Sequence, residues 1–264
     1  MNPIQAAILG FIQGATEFIP VSSSGHLIII PTLLNWEKPS LTFEVFVHFG
    51  TLLALIIYFW PEFVKLVKNL FKNPFEKPLP FDTFYSYMIV LSIIPAALVD
   101  LLFNDRLNTL LENPVLASWL LLVTAGFLII ASYLIGTRKL NTTTTLDFLV
   151  VSLMQAVAIL PGISRSGSTI TAGRIMGLDR ESSAKFAFHI AIPAIGAAFF
   201  WHLLKALKGN IPIEWVPSFI GLAVAAVVGY LSLVLFFKII KKMNFMIFAG
   251  YCIALFLLCR YIWR

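Results

Sequence analysis

The chain has 264 residues, of which 59% are hydrophobic and only 12% charged. A soluble domain averages about 45–50% apolar and about 25% charged residues, so this chain has too little charge to solvate a globular surface. That excludes a soluble fold, a disordered chain, a collagen-like rod and a disulfide scaffold. An integral membrane protein remains. The formal charge of +6 reads first as basic cytoplasmic loops and second as affinity for an anion. The start, MNPIQAAILGFIQG, lacks the basic segment of a cleavable signal. Cys252 and Cys259 lie seven residues apart in one apolar run. On a helix that is about 10 Å, beyond disulfide reach, so both read as lipid- or core-facing thiols.

In chain order, residues 3–34 are apolar, then interrupted by the polar knot PVSSSGH at 20–26, then apolar again. Spanning runs follow at 41–60, 84–103 and 115–136, each long enough to cross about 30 Å of hydrocarbon. NPFEKPLP at 73–80 and GTRKLNTTTT at 136–145 break the pattern. Residues 146–178 repeat the apolar–knot–apolar arrangement around PGISRSGST at 161–169. Three more spanning runs complete the chain at 185–204, 216–238 and 243–260, with KGNIP at 208–212 between the first two. The flanks of each knot are too short to cross alone. Irregular backbone at membrane depth is tolerated only inside protein, so each knot reads as the tip of a re-entrant helix–loop–helix hairpin. The expected fold is all-α and polytopic: one membrane domain over 1–264, with six transmembrane helices and two re-entrant hairpins.

The two knots are related. One offset of 142 residues superposes Gln13 on Gln155, Ser22 on Ser164, Ser24 on Ser166, Gly25 on Gly167 and Ile28 on Ile170. An offset of 141 pairs His48 with His189. A hairpin followed by three spans occurs twice, at about 1–136 and 144–264. Three is odd, so the second copy is inserted upside down, as in many transporters whose broken helices meet near the midplane. Twelve Lys and Arg residues fall on the side of 61–83, 137–147, 174–185 and 238–242. The other side has six: Lys38, Arg106, Lys205, Lys208, Arg260 and Arg264. The positive-inside rule makes the first side cytoplasmic and puts both termini outside.

Gln13 and Glu17 are four apart and share a helix face. A carboxylate at membrane depth is functional by default. In the first knot, Pro20 stops one arm, and Ser22, Ser23, Ser24 and Gly25 then open the next helix. That order makes a helix N-terminus with Ser as cap and hence an anion site. His26 in the new first turn is suited to acid, base, nucleophile or ligand chemistry. In the second knot, Ser164, Ser166 and Thr169 surround Arg165. Phosphate oxygens fit a guanidinium fork bidentately, and nothing apolar can satisfy it. The two knots together read as a phosphate site. One acid beside it suits a divalent cation, since Mg²⁺ takes one or two carboxylates plus phosphates and waters. His48 and His189, at matching repeat positions, read first as packing residues and second as supports behind the site, and Thr142 to Thr145 as a polar loop.

QGATEFIPVSSSGH resembles the (E/Q)xxxE and PVSSSGH motifs of the undecaprenyl-diphosphate phosphatase family, the bacitracin-resistance membrane proteins, and PGISRSGST is similar to that family's PGxSRSxxT motif. The likeness extends over the whole chain. It implies hydrolysis of undecaprenyl diphosphate to undecaprenyl phosphate and inorganic phosphate, with a divalent cation, Mg²⁺ or Ca²⁺. It places the acid pair on Gln13 and Glu17, and the other functional positions on Ser23, His26, Ser164, Arg165 and Thr169. The setting it implies is the bacterial plasma membrane, with the lipid diphosphate and membrane lipids as partners and no nucleic acid. A homodimer stays open. So does the nucleophile, which is Ser23, His26 or water. A lipid-phosphate or anion carrier is the rival class, since inverted repeats and broken helices suit it equally.

Overall fold

The computed structural model describes residues 1–111, 113–209 and 213–263, with side chains of 103–111 outside the described part. The side chain of Arg106, residues 210–212 of the KGNIP loop, and Arg264 therefore lie outside it. The described residues form twelve α-helices and one short 3₁₀ turn, Leu140–Thr142, with a single isolated β-bridge between Arg138 and Leu178. In chain order the helices are α1 (Pro3–Thr16), α2 (Ser23–Leu33), α3 (Leu41–Tyr58), α4 (Trp60–Asn69), α5 (Phe81–Leu91), α6 (Ile94–Leu111), α7 (Pro114–Tyr133), α8 (Thr145–Val157), α9 (Arg165–Ile175), α10 (Arg180–Lys208), α11 (Trp215–Ile239) and α12 (Met246–Ile262).

Among the described residues, five helical stretches are long and apolar enough to cross a membrane: Leu41–Tyr58, Phe81–Leu102, Pro114–Tyr133, Arg180–Lys208 and Trp215–Ile239. The sixth expected span, 243–260, is the 17-residue α12, which starts only after the Asn244 turn. The expected span at 84–103 is broken at Ser92–Ile93. Pro95 has no N–H for the carbonyl of Leu91, and the Ser92 hydroxyl instead closes the end of α5 on Ile89 O at 2.6 Å. Residues 60–69, read as loop, form α4. Residues 142–145 are more than a polar loop: Thr144 caps α8, and its hydroxyl and N–H are reciprocated by Asp147. This is a capping box.

Each knot is a break between two helices. Ser22 caps α2 by accepting from Gly25 N at 3.2 Å, and Ser164 caps α9 by accepting from Gly167 N at 3.0 Å. The chain turns into the two helices differently. In the first knot Ser22 takes φ +70°; in the second Gly162 takes φ +95° and Ser164 stays extended at φ −70°. A left-handed serine costs on the order of 1–3 kcal/mol, and it is found here at the first tip.

Helix α1 is held against α11 by small residues. Gly10 and Gly14 face Gly221, Ala225 and Gly229, so both helices carry small residues at four-residue spacing. A Cβ at Gly10 would stand 2.5 Å from Gly221 O; one at Gly14 would stand 2.8 Å from Gly229 N and from Ala225 O. Lipid offers no hydrophobic gain for helix pairing, so close backbone approach is what such helices use. Helix α11 also packs along α3, and α12 along α7, while α9 is enclosed by α7, α8 and α10.

Many of the basic segments are tied to one another on one end of the molecule. Lys65 pairs with Asp82 at 2.7 Å, Lys139 with Asp179 at 2.6 Å, and Lys241 with Glu181 at 3.1 Å. The Asp179 carboxylate raises the Lys139 ammonium above its ordinary range. Arg138 grips the buried Asp147 through both guanidinium NH₂ groups, at 3.0 and 2.8 Å. At the other end the N-terminal amine pairs with Glu214 at the start of α11, at 3.2 Å.

Substitution of Gly14 by Ala is expected to cost about 1–3 kcal/mol, the range for overpacking a filled contact. Gly126→Ala, where an added Cβ meets nothing within 4 Å, should be neutral or stabilising by up to about 1 kcal/mol. Denaturant titration of the two purified variants in detergent measures both. Equal stability of the two would refute the α1–α11 contact as a constraint.

Candidate active site

The two tips meet inside the bundle. Gly25 stands against the backbone of Gly162, and Gly167 against the side chain of Pro20. Glu17 follows the last turn of α1, with its N–H still bonded to Gln13 O at 2.9 Å. Its carboxylate is the hub of the junction. One oxygen, Oε1, pairs with the Arg165 guanidinium of the second tip. The other, Oε2, accepts from Gln13 Nε2 at 2.9 Å and from the Ser23 hydroxyl at 2.5 Å. The Glu17 side chain is 3% exposed and that of Arg165 23%. Gln13, Glu17, Ser23 and Arg165, singled out from sequence, are thus one bonded cluster drawn from both knots.

The cluster explains an otherwise unfavourable placement. Arg165 is the first residue of α9, where the helix dipole favours anions and opposes cations. The N-terminus of α2 enters the same junction from the other tip. Two positive helix ends and a guanidinium therefore face one carboxylate, and the local excess is positive. An anion with several oxygens satisfies such a site.

The remaining candidates take supporting places. The Ser22 and Ser24 hydroxyls lie 3.3 Å apart, and those of Ser164 and Ser166 3.2 Å apart. The Thr169 hydroxyl donates back to Arg165 O at 2.7 Å, bracing the turn that carries the guanidinium. His26 sits beside the cluster, but its ring bonds go elsewhere: Nδ1 to Ser22 O at 2.7 Å and Nε2 to the Tyr251 hydroxyl at 2.7 Å. The Gln13 carbonyl oxygen, Oε1, is buried without a hydrogen-bond partner among the described residues, and so is Oε1 of Gln155 at the matching position.

Four contributors lie outside the two motifs. His48, for which packing is the first reading and a place behind the site the second, sets Nε2 3.8 Å from Glu17 Oε2. Thr51, one turn along α3, lies 3.5 Å from Gln13 Nε2. Thr124 of α7 fastens the second tip, donating to Gly162 O at 2.7 Å and accepting from Ser164 N at 2.9 Å. Tyr251 of α12 meets His26. Each lies in an apolar helix with no local motif; a polar side chain in an apolar run is the signal available, joined for His48 by its match to His189 in the repeat.

The family model of the bacitracin resistance protein BacA matches residues 6–258. The chain belongs to that family. Among its relatives, the undecaprenyl-diphosphatase of Trichlorobacter lovleyi is 39% identical over 260 residues, covering 96% of this chain and 94% of that protein. The undecaprenyl-diphosphatase of Geotalea daltonii is 37% identical over 260 residues, covering 97% and 96%. That of Moorella thermoacetica is 35% identical over 257 residues, covering 97% and 95%. The likeness therefore covers both knots and every helix that packs on them.

Proposed function

We propose that the protein is a membrane-embedded undecaprenyl-diphosphatase, hydrolysing undecaprenyl diphosphate to undecaprenyl phosphate and inorganic phosphate, and that its bacitracin resistance follows from that recycling. The observation that carries this reading is the bonded set Ser23–Glu17–Arg165 at the meeting of two helix N-termini. A carrier of anions has use for the arginine and the helix ends. It has no use for a serine hydroxyl held 2.5 Å from a buried carboxylate.

In this reading Ser23 Oγ attacks the terminal phosphorus and its proton passes to Glu17 Oε2. The bond from that phosphorus to the bridging oxygen breaks, and undecaprenyl phosphate leaves. Water then attacks the phosphorus of the phosphoserine, the bond from that phosphorus to Ser23 Oγ breaks, Glu17 returns its proton to Ser23 Oγ, and inorganic phosphate leaves. Arg165 divides its fork between Glu17 and the transferring group, whose charge it stabilises; phosphoryl transfer depends mainly on such positioning and charge. His26, on the same face of α2 as Ser23, lines the phosphoryl site. Ser22, Ser24 and Gly25 on one tip, and Ser164, Ser166 and Thr169 on the other, shape the two helix ends toward the diphosphate.

The donor set fits a divalent cation, Mg²⁺ or Ca²⁺. Glu17 and Gln13 would hold it, and the orphaned Gln13 Oε1 is an oxygen lacking a partner in that place. Among the described residues no cluster of three His, Cys, Asp or Glu side chains could cage a metal. An ion completed by substrate phosphates and waters needs no such cage. Bound there, it would neutralise diphosphate charge.

The finer topology belongs to the same proposal. We read α1–α2 and α8–α9 as re-entrant hairpins, α12 as the sixth span, and 1–136 and 144–264 as inverted repeats. Supporting this, α2 and α9 are eleven residues each, and Ser22 and Ser164 cap them at matching positions. The basic end faces the cytoplasm of a bacterial plasma membrane, both termini lie outside, and the site opens to the outer face. His48, whose side chain is 28% exposed, stands in the half of α3 nearer that face.

Glu17→Gln is expected to abolish phosphate release by purified, folded protein in detergent. Arg165→Lys keeps the charge but loses the planar fork, and should lose about 100-fold or more in turnover, the scale of one transition-state donor. Activity near wild type in either variant would remove that residue from the chemistry. Absence of phosphate release from the wild type, with no gradient present, would favour the carrier.

Rapid quench with labelled substrate should trap an acid-stable phosphoserine that is missing from Ser23→Ala. A base-stable phosphohistidine would assign attack to His26, and no adduct at all would assign it to water. For orientation, Cys252 and Cys259 are first removed. A cysteine at the exposed Glu37 should then react with an impermeant thiol reagent added to intact cells. One at the exposed Asn141 should react only after permeabilisation. The reverse pattern would invert the assignment.

A further inference from the structure

His26 is held from two sides, and only one of the holders belongs to the knot. A carbonyl can only accept, so the 2.7 Å contact with Ser22 O places the proton on Nδ1. The residue is buried, with 2% of its surface exposed, and the ring's two partners are a carbonyl and a phenol, neither charged. It is therefore the neutral form, and Nε2 is a lone pair that accepts from the Tyr251 hydroxyl at 2.7 Å. The two rings are also nearly parallel, at 3° with centroids 5.6 Å apart. Tyr251 comes from α12, 225 residues along the chain from His26. Its neighbours in the run Met246–Ile262 are nearly all apolar.

We propose that Tyr251 is a positioning residue for the phosphatase reaction: its ring fixes the plane of His26 and its hydroxyl occupies Nε2, which is then not free to bond Ser23. The inference rests on the reading of Ser23 as the group activated by Glu17. Ser23 and His26 are three apart at the start of one helix and so share a face. A freely turning imidazole there presents a basic nitrogen within reach of the Ser23 hydroxyl. It would then compete with Glu17 for the serine proton. Tyr251 removes that competitor by occupying its lone pair. Phenylalanine would stack as well but would leave Nε2 buried and unpaired, which is unfavourable in itself and drives the ring to seek Ser23. Because phenol is both donor and acceptor, Tyr251 also remains a partner if Nε2 takes up a proton during turnover.

The test is a double-mutant cycle with a spectroscopic readout, on full-length protein in detergent. Tyr251→Phe should lower kcat about 3- to 10-fold, the scale of one neutral hydrogen bond. KM should stay within about twofold, since the loss falls on the chemical step and not on substrate binding. In the His26→Ala background the same change should cost nothing further, because Tyr251 acts only through the imidazole. The chain has four histidines, so nitrogen-15 spectra of histidine-labelled protein resolve His26 by its absence from His26→Ala. Its Nε2 resonance should move in Tyr251→Phe, while the other three histidines stay in place. Wild-type kcat in Tyr251→Phe, an equal loss in the His26→Ala background, or an unmoved Nε2 resonance would each overturn the inference. His26→Ala turning over at the wild-type rate would remove His26 from the phosphoryl site and leave the clamp standing. A dead Ser23→Ala with no phosphoserine in the wild type would instead fault the underlying reading, with the nitrogen spectrum still deciding the role of Tyr251.

Discussion

The ion pair between Glu17 and Arg165 joins the two broken helical units, and the rest of the architecture is arranged so that it can form. A carboxylate and a guanidinium taken out of water each cost several kcal/mol, and their attraction recovers this only with good geometry and further hydrogen bonds. Glu17 has those bonds from Gln13 and Ser23. Arg165 stands at the wrong end of a helix for a cation, on a turn braced by Thr169 and tied to α7 through Thr124. Stability alone does not account for such a pair, since well-packed apolar residues in its place are often neutral or better. The arrangement makes sense as a site held ready for a third, more highly charged member.

Bringing the tips together is a problem of backbone packing. Helix α1 is 14 residues, about 21 Å at 1.5 Å per residue, so it ends inside the bundle rather than beyond it. The depth of Glu17 is then set by where α1 lies along α11, and the Gly10–Gly14 contact with Gly221, Ala225 and Gly229 leaves little room to slide. On the other side the capping box of Thr144 and Asp147, locked by Arg138, fixes where α8 begins. Gly162 lets the second tip pass against Ala117 of α7 with a positive φ that other residues tolerate poorly. Small residues, caps and one buried ion pair thus do on the flanks what the charged cluster requires at the centre.

Much of this was legible from residue order. The breaks at Pro20 and Pro161–Gly162, the capping serines, and the cluster of Gln13, Glu17, Ser23 and Arg165 were readable because chemistry and helix termination share the same few residues. Span ends were less legible. Pro95 splits the second long run at a point where hydropathy is uninterrupted, and α12 is shorter than its apolar stretch. Helix α4 was missed because a basic surface helix and a basic loop have similar composition. Thr51, Thr124 and Tyr251 were missed for a different reason. Each is a lone polar group in an apolar helix, and which knot it serves depends on helix pairing across tens to hundreds of residues. Nothing local encodes that pairing.

The distribution of polar groups between the two halves carries one more consequence. The matching positions Gln13 and Gln155 both leave a carbonyl oxygen without a partner, and Ser22 and Ser164 both cap a helix. Yet at the junction only the first tip brings an acid, Glu17, and only the second brings a guanidinium, Arg165. The counterpart of Glu17 at the same offset is Ile159, and that of Arg165 is Ser23. Two equal tips would set like beside like: two carboxylates would repel, and two guanidinium groups would have no counter-ion. Divergence gives one donor of negative charge, one of positive charge and one hydroxyl between them. Similar tips can bring two helix N-termini to one point, but a hydroxyl, a carboxylate and a guanidinium are three different groups. What the two knots share, a capped helix N-terminus, therefore supplies the meeting place, and what they do not share supplies the Ser23–Glu17–Arg165 set.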